Sequence, residues 1–471
     1  MKNRAGKDLT VGSIPKLMIQ FSLPMLMGSF LQVAYSFINA IWVGQFLGTQ
    51  ALAAVTVSFP IHFALMALGG GLTLATNILV AQHYGAQRFE NLRKVVDSST
   101  VLIAVISVLL VWVGIIFSPS ILKLMNTPDD VFPLATSYLR LTLLSLPFGF
   151  GLFLTRSMLQ GIGDSKTPLY FQGASLIFLT ALDPLLIFGL FGLPKLGLNG
   201  TAWASFIAQG GALFALLFYL KKKENIVAPR LRKIRFDLKT TWITLKIGLP
   251  SALQQSLVSM GMVAVTGLVN GFGEIATAAF GAASRIDQIA FLPAMSFGMA
   301  ASTLAGQNIG AKKFERVNEI VLWGCVFSGT ITLVISLIAV SFSHGLLHIF
   351  VQDENVIKIG VHYLHIVSSC YLFFAMMFIG NGIINGSGHT LVTTFISLIS
   401  LWAVRVPLAR FLSVHYESVQ GIWYAISLSF FVAMTLSFTY YAFGRWKKPL
   451  GRYRKQEATA EGVFGEETGE A

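Results

Sequence analysis

The chain has 471 residues, of which 54% are hydrophobic and only 12% charged. That is about half the charged fraction of an ordinary soluble domain. A water-soluble monomer of this size cannot hide so much apolar surface, so soluble enzymes and nucleic-acid binders are excluded early. The formal net charge of +13 then becomes a question of where the basic residues sit.

Twelve long apolar runs follow one another, at about residues 17–43, 51–81, 94–118, 132–160, 168–193, 199–220, 246–270, 276–305, 317–342, 357–385, 391–412 and 419–443. Twelve membrane spans need roughly 240 to 300 mostly apolar residues, which 54% of this chain supplies. Many runs carry Gly and Pro, which membrane helices tolerate because neighbours re-satisfy the freed backbone groups. The first run is longer than a signal-peptide core and lacks a small-residue cleavage site, so no removable leader is expected. Cys325 and Cys370 both lie in apolar runs and cannot make a disulfide framework or a zinc cluster.

The basic residues collect on alternate loops. One side takes Lys2, Arg4, Lys7 and Lys16, then Arg88, Arg93 and Lys94, then Lys166. It also takes the segment 221–246, the Lys312–Lys313–Arg316 loop and a tail running from Arg445 to Lys455. The other side has Lys123, Arg140, Lys195, Lys358 and Arg410. The positive-inside rule puts the richer side, and with it both termini, in the cytoplasm of a multi-pass protein of the cell membrane. The excess charge is read as topology and attraction to anionic membrane lipid, with no nucleic-acid partner.

The second half repeats the first. Residues 85–96 read GAQRFENLRKVV and residues 310–321 read GAKKFERVNEIV, an offset of 225. At the same offset Gln160-Gly161-Ile162-Gly163 meets Asn385-Gly386-Ser387-Gly388, and Leu23-Pro24 matches Leu249-Pro250 at 226. Parallel repeats of six spans each are a transporter architecture. The expected fold is an all-α integral membrane protein of twelve transmembrane helices, in two six-helix lobes related by a pseudo-two-fold axis along the membrane normal. Its expected divisions are a cytoplasmic N-terminus (1–16), a first lobe (17–220), a basic cytoplasmic linker (221–245), a second lobe (246–444) and a cytoplasmic tail (445–471).

These residues resemble the multidrug and toxic compound extrusion (MATE) family over about residues 14–445. The resemblance is carried by the repeated loops Gly85-Ala86-Gln87-Arg88-Phe89 and Gly310-Ala311-Lys312-Lys313-Phe314, by Leu159 to Asp164, and by Leu182-Asp183-Pro184-Leu185 on span five. It implies two lobes around a central cavity, rocking between inward- and outward-open states, and export of cationic or amphipathic compounds in exchange for H⁺ or Na⁺. It also implies a cation-coupling site in the first lobe made of Asp183, Asn39, Tyr138 and Thr201, with a conformational bend at Pro24. The chain departs from the family pattern at Asn39, where aspartate is frequent, and at Leu179, where an asparagine precedes the span-five acid by one turn. A two-carboxylate cation site is incomplete here, since Asn39 can coordinate or hydrogen-bond but cannot carry a proton as an acid does.

The residues alone lead to the same spot. Of the 21 acidic residues, Asp183 and Asp287 sit well inside the apolar runs. A carboxylate at membrane depth costs roughly 2.5 to 3.5 kcal/mol on the insertion scale. Asp183 reads either as a proton or Na⁺ site or as a cap for backbone freed by Pro184. Burial favours the neutral carboxyl and a bound cation the charged one, so such a group can exchange one for the other. Asp287, with Arg285 two residues before it and Arg405 at similar depth on span eleven, reads either as a second-lobe coupling or substrate site or as an internal salt bridge with Arg405. Gln254 and Gln255 on span seven are further second-lobe candidates. Gln32 and Tyr35, sharing one helical face with Asn39, and Asn381 with Asn385 on span ten, are expected cavity-lining residues; each alone is equally inter-helix glue. His62 can sense pH or be a satisfied interior histidine.

The function expected is a secondary active antiporter, a monomer without cofactor, exporting organic cations or amphipathic drugs by alternating access with H⁺ or Na⁺ as coupling ion. The alternative is a flippase or exporter of a lipid-linked or anionic metabolite, which a basic cavity holding Arg156, Arg285 and Arg405 would favour. An enzyme is disfavoured, because no metal, phosphate-binding or Ser/His/Asp constellation occurs at catalytic spacing.

Overall fold

A computed structural model describes residues 6–192, 194–230 and 234–447. The expected basic residues Lys2, Arg4, Arg232 and Lys233, and the tail from residue 448 onward, lie outside the described residues. Among the described residues the chain is helical with no strand. The first half comprises α1 (Ile14–Phe46), α2 (Gly48–Gly85), α3 (Phe89–Leu124), α4 (Phe132–Leu144), α5 (Leu146–Gly161), α6 (Lys166–Phe188) and α7 (Leu198–Lys222). The second comprises α8 (Leu238–Asn270), α9 (Glu274–Gly310), α10 (Phe314–Ser341), the short α11 (Ser343–His348), α12 (Glu354–Ser368) and α13 (Tyr371–Gly386). It ends with α14 (Thr390–Ser397), a π-helical stretch (Leu398–Arg405), α15 (Val406–His415) and α16 (Gln420–Ala442). Ten spans are long and apolar enough to cross a membrane, and the bent pairs α4–α5 and α12–α13 bring the total to twelve.

The bends have different origins. The α4–α5 axis turns by 40° where Pro147 has no N–H to offer the Leu143 carbonyl, and the Ser145 hydroxyl donates to Thr142 O at 2.7 Å. The 45° turn between α12 and α13 has no proline. Helix α3 shows why the exteriors are apolar: Val105, Val108, Leu109, Trp112 and Ile116 are exposed at helical spacing, a stripe suited to hydrocarbon rather than water. Each half has its own apolar core, around Ile78, Leu139 and Phe150 in the first and around Ala283, Tyr371 and Trp423 in the second.

The halves meet through α2, α8, α9 and α1, at the end that carries the repeated basic loops. There the duplication becomes a reciprocal contact. Gln82 Nε2 on α2 donates to Gly386 O across the seam at 2.8 Å, and Gln307 Nε2 on α9 donates to Gly161 O at 2.8 Å. Both pairs keep the 225-residue offset. Gly161 and Gly386 end α5 and α13, so each glutamine satisfies a carbonyl that its own helix cannot. The helix ends cross so closely that a Cβ on Gly85 would lie 1.9 Å from Gln307 O, and one on Gly310 2.0 Å from Gln82 O. The Asn77–Thr303 contact (Thr303 Oγ1 to Asn77 Oδ1, 3.2 Å) extends the polar seam inward.

The N-terminal segment straps this seam. Lys7 N donates to Ile162 O at 2.9 Å on the first half. Leu9, fully buried, donates its N–H to Gln307 Oε1 at 2.9 Å and accepts from Asn308 Nδ2 at 3.2 Å on the second. Lys313 Nζ reaches Thr10 O at 2.9 Å and Arg316 Nη2 reaches Gly12 O at 2.8 Å. Between the halves, α7 ends at Lys222 and α8 begins at Leu238, so helix takes up the last third of the expected linker. Asp237 caps α8, accepting from Thr240 N at 2.9 Å, and its N–H donates to Ser98 Oγ on α3 at 3.1 Å. Hydrogen bonds from the Thr240 side chain and then its backbone hold the Asp237 carboxyl below the ordinary carboxylate value of 3.8.

Two outcomes are expected. Gly85→Ala or Gly310→Ala forces a Cβ into backbone and disfavours this closed seam by about 1–3 kcal/mol. In a cysteine-free background, spin labels at Glu90→Cys and Glu315→Cys then report a longer distance in most molecules. The Asp237 cap is fully formed above the unfolded carboxylate pKa and is lost as pH falls through the lower folded value. Thermal unfolding followed from pH 6 to pH 3 therefore loses part of its acid sensitivity in Asp237→Asn, which caps without titrating.

Candidate functional site

A cavity of about 310 Å³ lies within the first half, walled by α1, α2, α4, α5, α6 and α7. Helix α1 contributes Gln32, Tyr35 and Asn39, which share one face because they are separated by three and four residues. Tyr138 faces it from α4, Arg156 from α5 and Gln172 from α6. The apolar wall includes Phe59, Met66, Leu152, Phe153 and Leu176.

Asp183 is fully buried behind this wall. Tyr35 donates to its Oδ2 at 3.4 Å, a long contact, while Oδ1 has no partner. Asn39 Oδ1 is likewise buried and unpartnered. Tyr138 and Thr201 are within hydrogen-bonding reach of each other beside the same carboxylate. Of the four residues singled out as a first-lobe cation site, Asp183, Tyr138 and Thr201 lie together, while Asn39 stands one turn beyond Tyr35 on the cavity face of α1; Leu179 packs one turn from the acid. Two unsatisfied buried acceptors are an arrangement suited to a proton or a small hard cation. On α1, Pro24 lies inside the helix, eight residues before Gln32, where its missing N–H weakens the helix near the cavity floor.

The second half is arranged differently from expectation. Asp287 is buried, and both Tyr363 and Tyr371 donate to its carboxylate. Among the described residues Arg405 forms no ion pair with it: Arg405 Nε donates to Ser429 Oγ at 2.7 Å, and its guanidinium lies over the Phe430 ring at 4.9 Å. Two tyrosines from α12 and α13 fill the positions assigned to the arginine, which the π-helical turn ending at Arg405 aims at α16 instead. Arg285 lies over the Phe350 ring at 5.8 Å. Neither arginine lines the cavity. Gln254 bonds Ser397 at 2.8 Å and ties α8 to α14, and Gln255 is exposed on α8. Asn381 accepts from Ser437 at 2.7 Å and Asn385 from Thr393 at 2.8 Å. These two asparagines were expected in the cavity; they are spent as inter-helix bonds in the second lobe.

Sequence reasoning did not single out Gln172, Gln209 or Ser205. A signal existed, because each is a polar residue inside an apolar run. Gln172 bonds α1 through Gly28 O and Gln32 Oε1, both at 3.3 Å. His62 lines the cavity, with Nδ1 buried and unpartnered. Tyr363→Phe and Tyr371→Phe should each destabilise the second lobe by about 1–3 kcal/mol, since each leaves a buried carboxylate oxygen short of a donor. The check is the melting temperature of the purified variants, with cargo binding per folded molecule unchanged.

The chain matches the MatE family model twice, over residues 24–185 and 250–411, which is the internal duplication seen from outside. It is 34% identical over 441 residues to the probable multidrug resistance protein YoeA of Bacillus subtilis (strain 168), covering 93% of this chain and 95% of that one. It is 32% identical to the probable multidrug resistance protein YpnP of the same strain, over 93% and 97%. Among solved structures, the outward-facing conformation of a multidrug resistance MATE family transporter of the MOP superfamily superposes with a TM-score of 0.88 at 22% identity, covering 95% of this chain and all of that one. A MOP superfamily transporter from Pyrococcus furiosus superposes with a TM-score of 0.87 over 95% of this chain and all of that one, also at 22% identity. The twofold family match, the relatives spanning nearly the whole chain and the twelve-span, two-lobe fold together establish that this chain belongs to the MatE family of membrane transporters.

Proposed function

We propose that the chain is a secondary active exporter that binds organic cations or amphipathic drugs in the first-lobe cavity and expels them in exchange for H⁺ or Na⁺. The observation that carries this reading is Asp183: a fully buried carboxylate with one unpartnered oxygen, touching the cavity through Tyr35. The drug-resistance names of YoeA and YpnP support the cargo class. With the basic face in the cytoplasm, the closed polar seam corresponds to an outward-facing state, and each inward cation contributes about 2.3 kcal/mol per 100 mV plus its concentration term.

In this mechanism Asp183 receives the cation from the outer side, which satisfies Oδ1 and tightens the contacts of Tyr35 and Asn39 on α1. Helix α1 then rearranges about Pro24, the cavity narrows, and cargo leaves outward. Reopening of the seam at the basic face returns the cation to the cytoplasm. The exporter works as a monomer, with membrane lipid as its surroundings.

The test is efflux of a fluorescent organic cation from proteoliposomes with imposed pH or Na⁺ gradients. Wild-type protein should concentrate the dye against its gradient, and Asp183→Asn should reduce the ion-driven component at least about a hundredfold while retaining binding, because the amide cannot exchange a proton or balance a cation. Ion-driven efflux at wild-type rate in Asp183→Asn overturns the proposed coupling.

A further inference from the structure

We propose that Arg156 is an anion subsite, and that the cavity takes amphiphiles bearing a carboxylate or phosphate, which docks on the guanidinium while the apolar body lies along α5 and α6. This rests on the reading that the cavity is the cargo site, and it adds a substrate class beyond organic cations. Arg156 stands five residues before the end of α5, about 8 Å from the basic face at 1.5 Å per residue. It lines the cavity, and its protein hydrogen bond is to Gln172 Oε1 at 3.4 Å. No acidic side chain pairs with it among the described residues. A guanidinium held inside a membrane protein normally has an acid or a set of carbonyls around it, because an unpaired charge there is costly.

Asp183 does not supply that partner. It lies eleven residues beyond Gln172 on the same helix, about 16 Å along the axis, and it is engaged by Tyr35. Gln172 meanwhile holds the arginine in place. Its amide oxygen faces the guanidinium, and its amide nitrogen is anchored on Gly28 O and Gln32 Oε1 of α1. Gly28 permits this, since a Cβ there would stand 3.2 Å from Gln172 Oε1. One of five guanidinium N–H donors is thus occupied, leaving the planar fork free for bidentate contact with a carboxylate or phosphate. Leu152, Phe153 and Leu176 line the same cavity with apolar surface, which suits an amphiphile better than a free inorganic anion.

The test uses two dyes that differ in one group, rhodamine B with its free carboxylate and rhodamine B ethyl ester. Fluorescence polarisation reads their binding to the full-length protein in phosphatidylcholine nanodiscs. Wild-type protein should bind the acid about tenfold more tightly than the ester. Arg156→Gln should level the pair by weakening the acid alone, and Arg156→Lys should keep part of the preference. Equal affinity of wild-type protein for acid and ester overturns the proposal, and this comparison needs no variant to fold. A preference that survives in Arg156→Gln, or equal loss of both dyes in a folded variant, also overturns it. Replacing part of the phosphatidylcholine by phosphatidylglycerol separates two sources of the anion. Weaker acid binding in wild type and not in Arg156→Gln identifies a lipid phosphate as an occupant of the subsite; unchanged binding identifies free amphiphile. If no gradient drives export while the acid preference stands, the export reading fails and the subsite does not.

Discussion

The structure turns on a reciprocal contact in which two glutamines, Gln82 and Gln307, each cross between the halves to a helix-terminal carbonyl. A duplicated chain can build such a contact only if its two copies approach with the same residues. Close approach in turn requires Gly85 and Gly310 where the helix ends cross. Hydrogen bonding at this seam sets how the lobes are joined at one end. The cavity, Asp183 and the α1 bend all lie in the first lobe above it.

The two halves share this frame and have diverged inside it. The first keeps an acid whose oxygen is unpartnered beside a cavity. The second surrounds its acid with two tyrosines and spends its asparagines on Ser437 and Thr393. A saturated carboxylate holds helices together; an unsaturated one can respond to an ion. The same kind of residue, kept at depth in both lobes, thus serves cohesion in one and leaves chemistry open in the other.

Much of the fold was legible in the sequence, because length and apolarity alone mark a membrane span and a fixed offset marks a repeat. The break between α4 and α5 had a visible cause in Pro147, whereas the one at Ser369 and Cys370 had none. Depth along a helix could be counted, and it set Asp287 and Arg405 at a similar level. Azimuth could not, and Tyr363 and Tyr371 occupy the directions that decide the contact. Gln82 and Gln307 were unreadable for a related reason: a glutamine near a basic loop looks solvated, and its partner lies 304 or 146 residues away. Asn39 could be assigned to the Asp183 site only through the family resemblance.

The seam's chemistry has a consequence for reversibility. Its hydrogen bonds are amide to carbonyl, hydroxyl to amide, and ammonium or guanidinium to carbonyl, the neutral ones with a net worth of about 0.5–1.5 kcal/mol and the charged ones about 1.5–3, because water offers nearly the same partners. A gasket of this kind can part and reseal many times, with solvent standing in for each lost bond. The apolar cluster beside it, where Ile14, Met18 and Phe21 of α1 lie with Phe297, Ala301 and Leu304 of α9, parts less readily, since opening there exposes apolar surface to water.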